Sequence, residues 1–249
     1  MCRFVQAALT LSAPLESALA LSATTMSGKT RPDTGIVLVD EPTQNARGKT
    51  LTTSATVVTS DRYVAQLTFE STWPIQRGNF YDVEVRSKEG GDGAFLLCKA
   101  APKAPAGLPA KWFADNIFNI EGRYGAYGAP ADVKLLKDSV VGSDRVLEYS
   151  FTALSPSQAQ VLRKCAVKAT TGPGSSDIFL IVAGTTASRW KKEQGDIASR
   201  KVADSFRVAG TQKTPLKKDP TSDYRTYVTK APDLTSSKSG VAQYGGGDT

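Results

Sequence analysis

"GSSDIFLIVAGTTASRWKKEQGDIASRKVADSFRVAG" (residues 174–210) decides how the rest of the chain is read. From Ile178 to Ala183 every side chain is apolar, so neither face of this segment can look at water. A strand apolar on both faces belongs at the centre of a sheet that is covered on both sides. After it come Arg189, Trp190, Lys191 and Lys192, then a helical pattern with Asp196 as its expected N-cap and Ile197, Ala198, Val202 and Phe206 turned inward. The remaining chain must therefore supply neighbouring strands and covering layers.

Working outward, "YVAQLTF" places Tyr63, Ala65, Leu67 and Phe69 on one face, and "YDVEV" does the same with Tyr81, Val83 and Val85. "STWPIQRGN" reads as the loop between them, and "KEGGDG" as a hairpin turn leading into "AFLLCKA". This half is expected to be an antiparallel meander. "PAGLPAKWFADNIFNIEG" spaces Phe113, Ile117 and Ile120 as one stripe of a helix that stops at Gly122. Three more strands are expected in "ADVKLLKDSVV", in "RVLEYSFTA" with Leu147, Tyr149 and Phe151 on one side, and in "QVLRKCAVKA" with Val161, Cys165 and Val167.

The flanks are poorer in apolar residues. Residues 26–59 read as an extended arm in which only "GIVLV" (Gly35–Val39) can form a strand, and residues 211–249 as a polar tail. The domain is placed at residues 60–210. Residues 1–25 carry an early Arg, an apolar stretch from Phe4 to Leu15 and small residues at Ala18-Leu19-Ala20, a pattern that fits either a targeting segment or an N-terminal arm.

The chain of 249 residues holds 31 Lys and Arg, 24 Asp and Glu and no histidine, a formal charge of +7. Carboxylates titrate near ~4, so the cationic balance persists down to roughly pH 5 with no histidine switch. Without an imidazole, Ser-His-Asp and Cys-His arrangements and His-ligated zinc sites are excluded. The three cysteines, Cys2, Cys98 and Cys165, allow at most one internal disulfide. Cys98 and Cys165 sit in strand-like runs, where the thiol usually behaves as a small buried hydrophobe.

Phosphate-loop fragments at Gly28-Lys29-Thr30 and Gly48-Lys49-Thr50 lack the glycine five residues earlier, those positions being Ala23 and Thr43. Gly122, Gly125 and Gly128 do not follow a strand and read as a loop, and Glu193 with Asp196 reads as solvated acid in a lysine-rich joint. No constellation supports a reaction. Trp190 with its flanking lysines has two readings: a core lid with a wet rim, or a site for an acidic partner.

Taken together, a buried strand, a turn carrying Arg189-Trp190-Lys191, a helix with Val202 and a closing Phe206-Arg207-Val208 resemble the C-terminal end of the PsbP family of extrinsic thylakoid-lumen proteins. Leu67–Phe69 leading to Trp73-Pro74, "EGRYGAYG" and Tyr149–Phe151 add to the resemblance, which covers roughly residues 60–210. It implies an α+β fold, a central antiparallel β-sheet covered by helices, here with extended N- and C-terminal arms. It also implies a non-enzymatic subunit, peripheral to the thylakoid membrane in the chloroplast lumen, that meets photosystem core or antenna proteins, with photosystem II favoured. A photosystem I or antenna subunit, a transient assembly factor and, more remotely, a lumenal enzyme without histidine are the alternatives. The family's link to calcium and chloride is not expected to carry over to a chain without histidine, so no metal and no cofactor are expected, and no nucleic acid. The expected partner-binding residues are Arg189, Trp190, Lys191, Lys192, Arg200 and Lys201 at the joint, with Tyr224 and Tyr227 in the tail.

Overall fold

Strand alternation organises the molecule around the apolar segment identified above. In the computed structural model, which describes residues 34–215 apart from 77–81, 89–90, 173 and 193, that segment forms a strand over Asp177–Thr186 whose side chains are buried along almost its whole length. Ile178, Leu180 and Val182 face one apolar cluster, and Phe179, Ile181 and Ala183 face another. A pleated strand can do this only if both sheet faces are covered.

Among the described residues, ten strands and three short α-helices follow in chain order: β1 (Thr43–Arg47), β2 (Thr50–Val58), β3 (Tyr63–Ser71), β4 (Glu84–Arg86), β5 (Gly93–Ala100), α1 (Ala110–Ile117), β6 (Ala131–Val141), β7 (Asp144–Leu154), β8 (Gln160–Thr171), β9 (Asp177–Thr186), α2 (Ala187–Lys192), α3 (Gly195–Ser205) and β10 (Arg207–Lys213). They build two antiparallel sheets, one of six strands in the order β4-β5-β9-β8-β7-β6 and one of four in the order β1-β2-β3-β10. The described chain is thus mostly antiparallel sheet with few helices. One face of the six-stranded sheet packs on the smaller sheet together with Trp190, Val202, Ala203 and Phe206. The other face packs on α1 and on the loop carrying Phe118 and Tyr124. The expected central sheet is present, but on one side a second sheet takes much of the place foreseen for helices.

That second sheet also corrects the domain boundaries. Residues 34–58 are not an arm: Ile36, Leu38, Ala55 and Val57 lie in the core, and β1 and β2 form a hairpin closed at Gly48-Lys49. Threonine hides this in a hydrophobicity count. Its β-branched side chain suits a strand as valine does, and its buried hydroxyl finds local partners. Gly48 has φ +62 at the first turn position, where hairpins favour glycine, so the Gly-Lys-Thr fragment is a turn. β10 likewise carries order past residue 210, pairing along β3 from Arg207↔Thr68 to Lys213↔Tyr63. The expected meander is also corrected, because β3 and β5 sit in different sheets.

Two helix readings shift. α1 ends at Ile117, where the N–H of Phe118 reaches the Ala114 carbonyl at 2.9 Å, and Phe118 instead of Ile120 turns inward against Phe151 with ring centroids 4.6 Å apart. Ile120 stays 61% exposed. α3 starts one residue before Asp196, with Gln194 at its N-cap in the left-handed region. Its inward face is Gly195, Ser199, Val202 and Ala203, leaving Ile197 at the surface. Small residues are needed there: a Cβ on Gly195 would stand 2.7 Å from Thr185 Cγ2.

Cys98 and Cys165 are buried on opposite faces of the large sheet and are not joined to each other, so the disulfide left open by the sequence is not formed. Burial pushes the Cys165 thiol up to about 12. At pH 8 it should resist alkylation until the protein unfolds, as followed by mass spectrometry during a urea titration. Because the folded state favours the neutral thiol, its contribution to stability is complete below the unfolded value near 9 and declines as pH rises toward 12.

Candidate functional site

Charge at the strand-to-helix joint is more internally committed than the sequence implies. Trp190 is 3% exposed and belongs to the core beneath α3, which corrects its reading as a partner contact: the indole is a lid on the apolar cluster. Arg200 lies over that ring, 5.9 Å from its centroid, and forks onto Glu148 of β7 through Nε at 2.8 Å and Nη2 at 3.1 Å. The hydrogen bonds it donates to the Glu148 carboxylate hold the guanidinium above its usual value. Arg189 pairs with Asp92 at 3.3 Å, and Lys201 donates to Thr50 Oγ1 at 3.0 Å. Lys191 and Lys192 are exposed at the end of α2. Of the six joint residues, Lys191, Lys192, Arg200 and Lys201 all reach the surface, and Arg189, Arg200 and Lys201 also tie the helices to neighbouring segments. Tyr224 and Tyr227 lie outside the described residues.

A second feature lies at the far edge of the six-stranded sheet. β6 spans eleven residues and is exposed along nearly its whole length. Leu135, Leu136, Val140 and Val141 are between 43% and 63% exposed there, with Lys134 and Lys137 among them. Pairing with β7 shifts register between Leu135↔Tyr149 and Lys137↔Glu148, leaving Leu136 as the extra residue of a bulge. Bulges and lysines are how natural sheets guard an edge against indiscriminate pairing. The apolar residues beside them are the unusual part, since a monomer rarely leaves such a strand uncovered.

The third feature is a cleft where β4, the loop after α1 and the neighbouring ends of β7 and β8 meet. Glu84, buried on β4, receives Arg86 Nη2 at 2.7 Å and Arg123 through Nε at 3.0 Å and Nη2 at 2.9 Å. Arg163 of β8 stands 5.7 Å from the Tyr124 ring centroid. Burial raises the Tyr124 phenol well above its usual value, so it remains protonated. None of the three arginines was singled out from the sequence. They are separated by 37 and 40 positions, and only the sheet order brings them together.

Among the described residues no helix is long and apolar enough to cross a membrane, and no group of three or more His, Cys, Asp or Glu could hold a metal ion. No family model matches the chain, and no curated protein matches it. The chain is similar to the solution structure of cyanobacterial PsbP (CyanoP) from Synechocystis sp. PCC 6803, at 14% identity over 69% of this chain and 94% of that one, with a TM-score of 0.39. At that score the likeness decides neither fold detail nor function.

Proposed function

We propose that the protein is a non-enzymatic docking subunit, peripheral to a photosynthetic membrane on its lumenal side, that binds acidic surfaces of a photosystem, with photosystem II the first choice. The carrying observation is β6: an uncovered edge strand with Leu135 and Leu136 exposed between Lys134 and Lys137, and Val140 and Val141 exposed beyond them. Such a strand offers apolar contact area and unpaired backbone groups to a partner; Lys134 and Lys137 stand against Asp132 and an Asp138 already paired with Arg145, so the strand itself adds only a small positive balance and the preference for an acidic partner comes mainly from the chain's net charge. The photosystem enters through the resemblance of Arg189-Trp190-Lys191, Val202 and Phe206-Arg207-Val208 to the closing segment of PsbP proteins. Those residues pack as a unit, Trp190, Val202 and Phe206 in one cluster. They support a shared way of finishing the fold, and β6 supplies the docking surface.

The net charge of +7 gives attachment a large electrostatic part. A wash at ~1 M salt, where the Debye length is about 3 Å, should strip the protein from lumen-exposed membranes without detergent. Leu136→Glu should then prevent rebinding while moving the melting temperature little, because the side chain is half in water already. Native gels of the bound fraction identify the complex that co-migrates. Retention until detergent is added, or full rebinding by Leu136→Glu, would overturn the proposal.

A further inference from the structure

The face of the six-stranded sheet on which α3 packs is left open at its outer corner. Register places Lys134 of β6 beside Ser150 of β7, and Ser150 beside Lys164 of β8, so all three side chains stand on this face. Lys137 stands there beside Glu148, and Leu162 beside Thr152. Lys134 and Lys137 are exposed, Lys164 is half-buried, and Leu162 is 52% exposed. α2 packs on β8 and β9 with Trp190 in the cluster on this side, and it adds the exposed Lys191 and Lys192. The carboxylates nearby are committed: Glu148 and Asp196 are held by Arg200, and Asp132 accepts the Thr152 hydroxyl at 3.4 Å. Asp138 lies on the opposite face with Arg145. Five lysines and Arg200 therefore meet three carboxylates, and among the described residues none of the five lysines is in an ion pair.

We infer that this face rests on the surface of an anionic lipid bilayer, the lysines meeting headgroup phosphates around Leu162. Such a surface presents diffuse, mobile negative charge. Lysine is a point charge on a flexible four-carbon stem, so it follows a moving headgroup without a fixed geometry. A protein partner calls for other residues, since interfaces between proteins enrich aromatic side chains and arginine and deplete lysine. Here Trp190 is buried beneath Arg200, and Arg200 is committed to Glu148. Lysines and a leucine are left as the contact residues, with the lysine stems lying along the surface and their charged ends free. Side chains stand perpendicular to a sheet, whereas the unpaired backbone groups of β6 point along it. Lipid under the face and a protein at the edge are therefore compatible. The inference goes beyond docking on a photosystem and is tested with no protein partner present.

The test is flotation of the full chain with vesicles of phosphatidylcholine alone and of equal parts phosphatidylcholine and phosphatidylglycerol. Binding is expected to the mixed vesicles and not to phosphatidylcholine, with release at ~1 M salt. A lysine near an anionic surface contributes about fivefold in affinity, so Lys134→Gln with Lys164→Gln should weaken binding roughly 25-fold. The melting temperature should change little, because neither lysine has an ion pair to lose. Lys103→Gln with Lys111→Gln, just before and within α1 on the opposite face, removes the same charge and should change binding little, since those positions lie more than a Debye length from the lipid. No flotation with the mixed vesicles, equal flotation with phosphatidylcholine alone, or equal loss from the two lysine pairs would each overturn the inference. The first of these, with rebinding to lumen-exposed membranes intact, would show that a protein surface reads the lysines and would leave the docking proposal standing.

Discussion

Replacing Phe206 by alanine lowers the stability of the protein by about 3–5 kcal/mol, the usual cost of emptying a fully buried phenyl site. Phe206 is fully buried where α3 hands over to β10 and where both sheets meet the helix. Its backbone is engaged as well: the N–H reaches the Ala203 carbonyl at 3.2 Å, and its own carbonyl accepts Lys168 Nζ at 3.1 Å. The cavity would lie between elements already fixed by pairing, so the site has little freedom to collapse. For a domain of this size the loss corresponds to roughly 6–20 °C in melting temperature. Thermal unfolding followed by circular dichroism measures it, and a shift of only about two degrees would show that the last helix is not locked through this ring.

What the sequence makes legible follows from where hydrophobicity is regular. β9 is recognisable because its two faces are both apolar, and β7 because Leu147, Tyr149 and Phe151 alternate with polar residues; both are buried as the pattern requires. β2 is not, because Thr53 within it and Thr59 just past its end take buried positions with hydroxyl-bearing side chains, which composition counts as polar. The division into two sheets is not legible either. Alternation says that a strand has an inner face and says nothing of which sheet it joins, so β3 and β5 read alike while pairing elsewhere. Trp190 and its neighbours show the same limit at the level of a site. A Trp beside cations is consistent with a partner contact or a core lid, and the choice depends on Glu148, Asp92 and Thr50, which lie up to 151 positions away from the residues they hold.

The arginine cleft leads to the second large effect, at Glu84. Breaking a buried ion pair by removing one partner typically costs about 3–5 kcal/mol, because the remaining charge is left without compensation. Glu84→Ala removes the buried carboxylate on which the guanidinium groups of Arg86 and Arg123 both converge. Their side chains keep 30% and 21% of their exposure, so part of the lost interaction is recovered from water and the cost should fall toward the lower end, about 3 kcal/mol. Urea midpoints measure it, with Asp115→Asn in the open pair Lys111–Asp115 as the comparison, where almost no change is expected. Adding Arg123→Ala to Glu84→Ala removes one of the two cations that faced the carboxylate and should restore part of the loss. If the two substitutions simply add, Glu84 and Arg123 are uncoupled and the cleft is not held together by this carboxylate. If they couple, the same carboxylate fixes both arginines in place and ties β4 to the loop after α1.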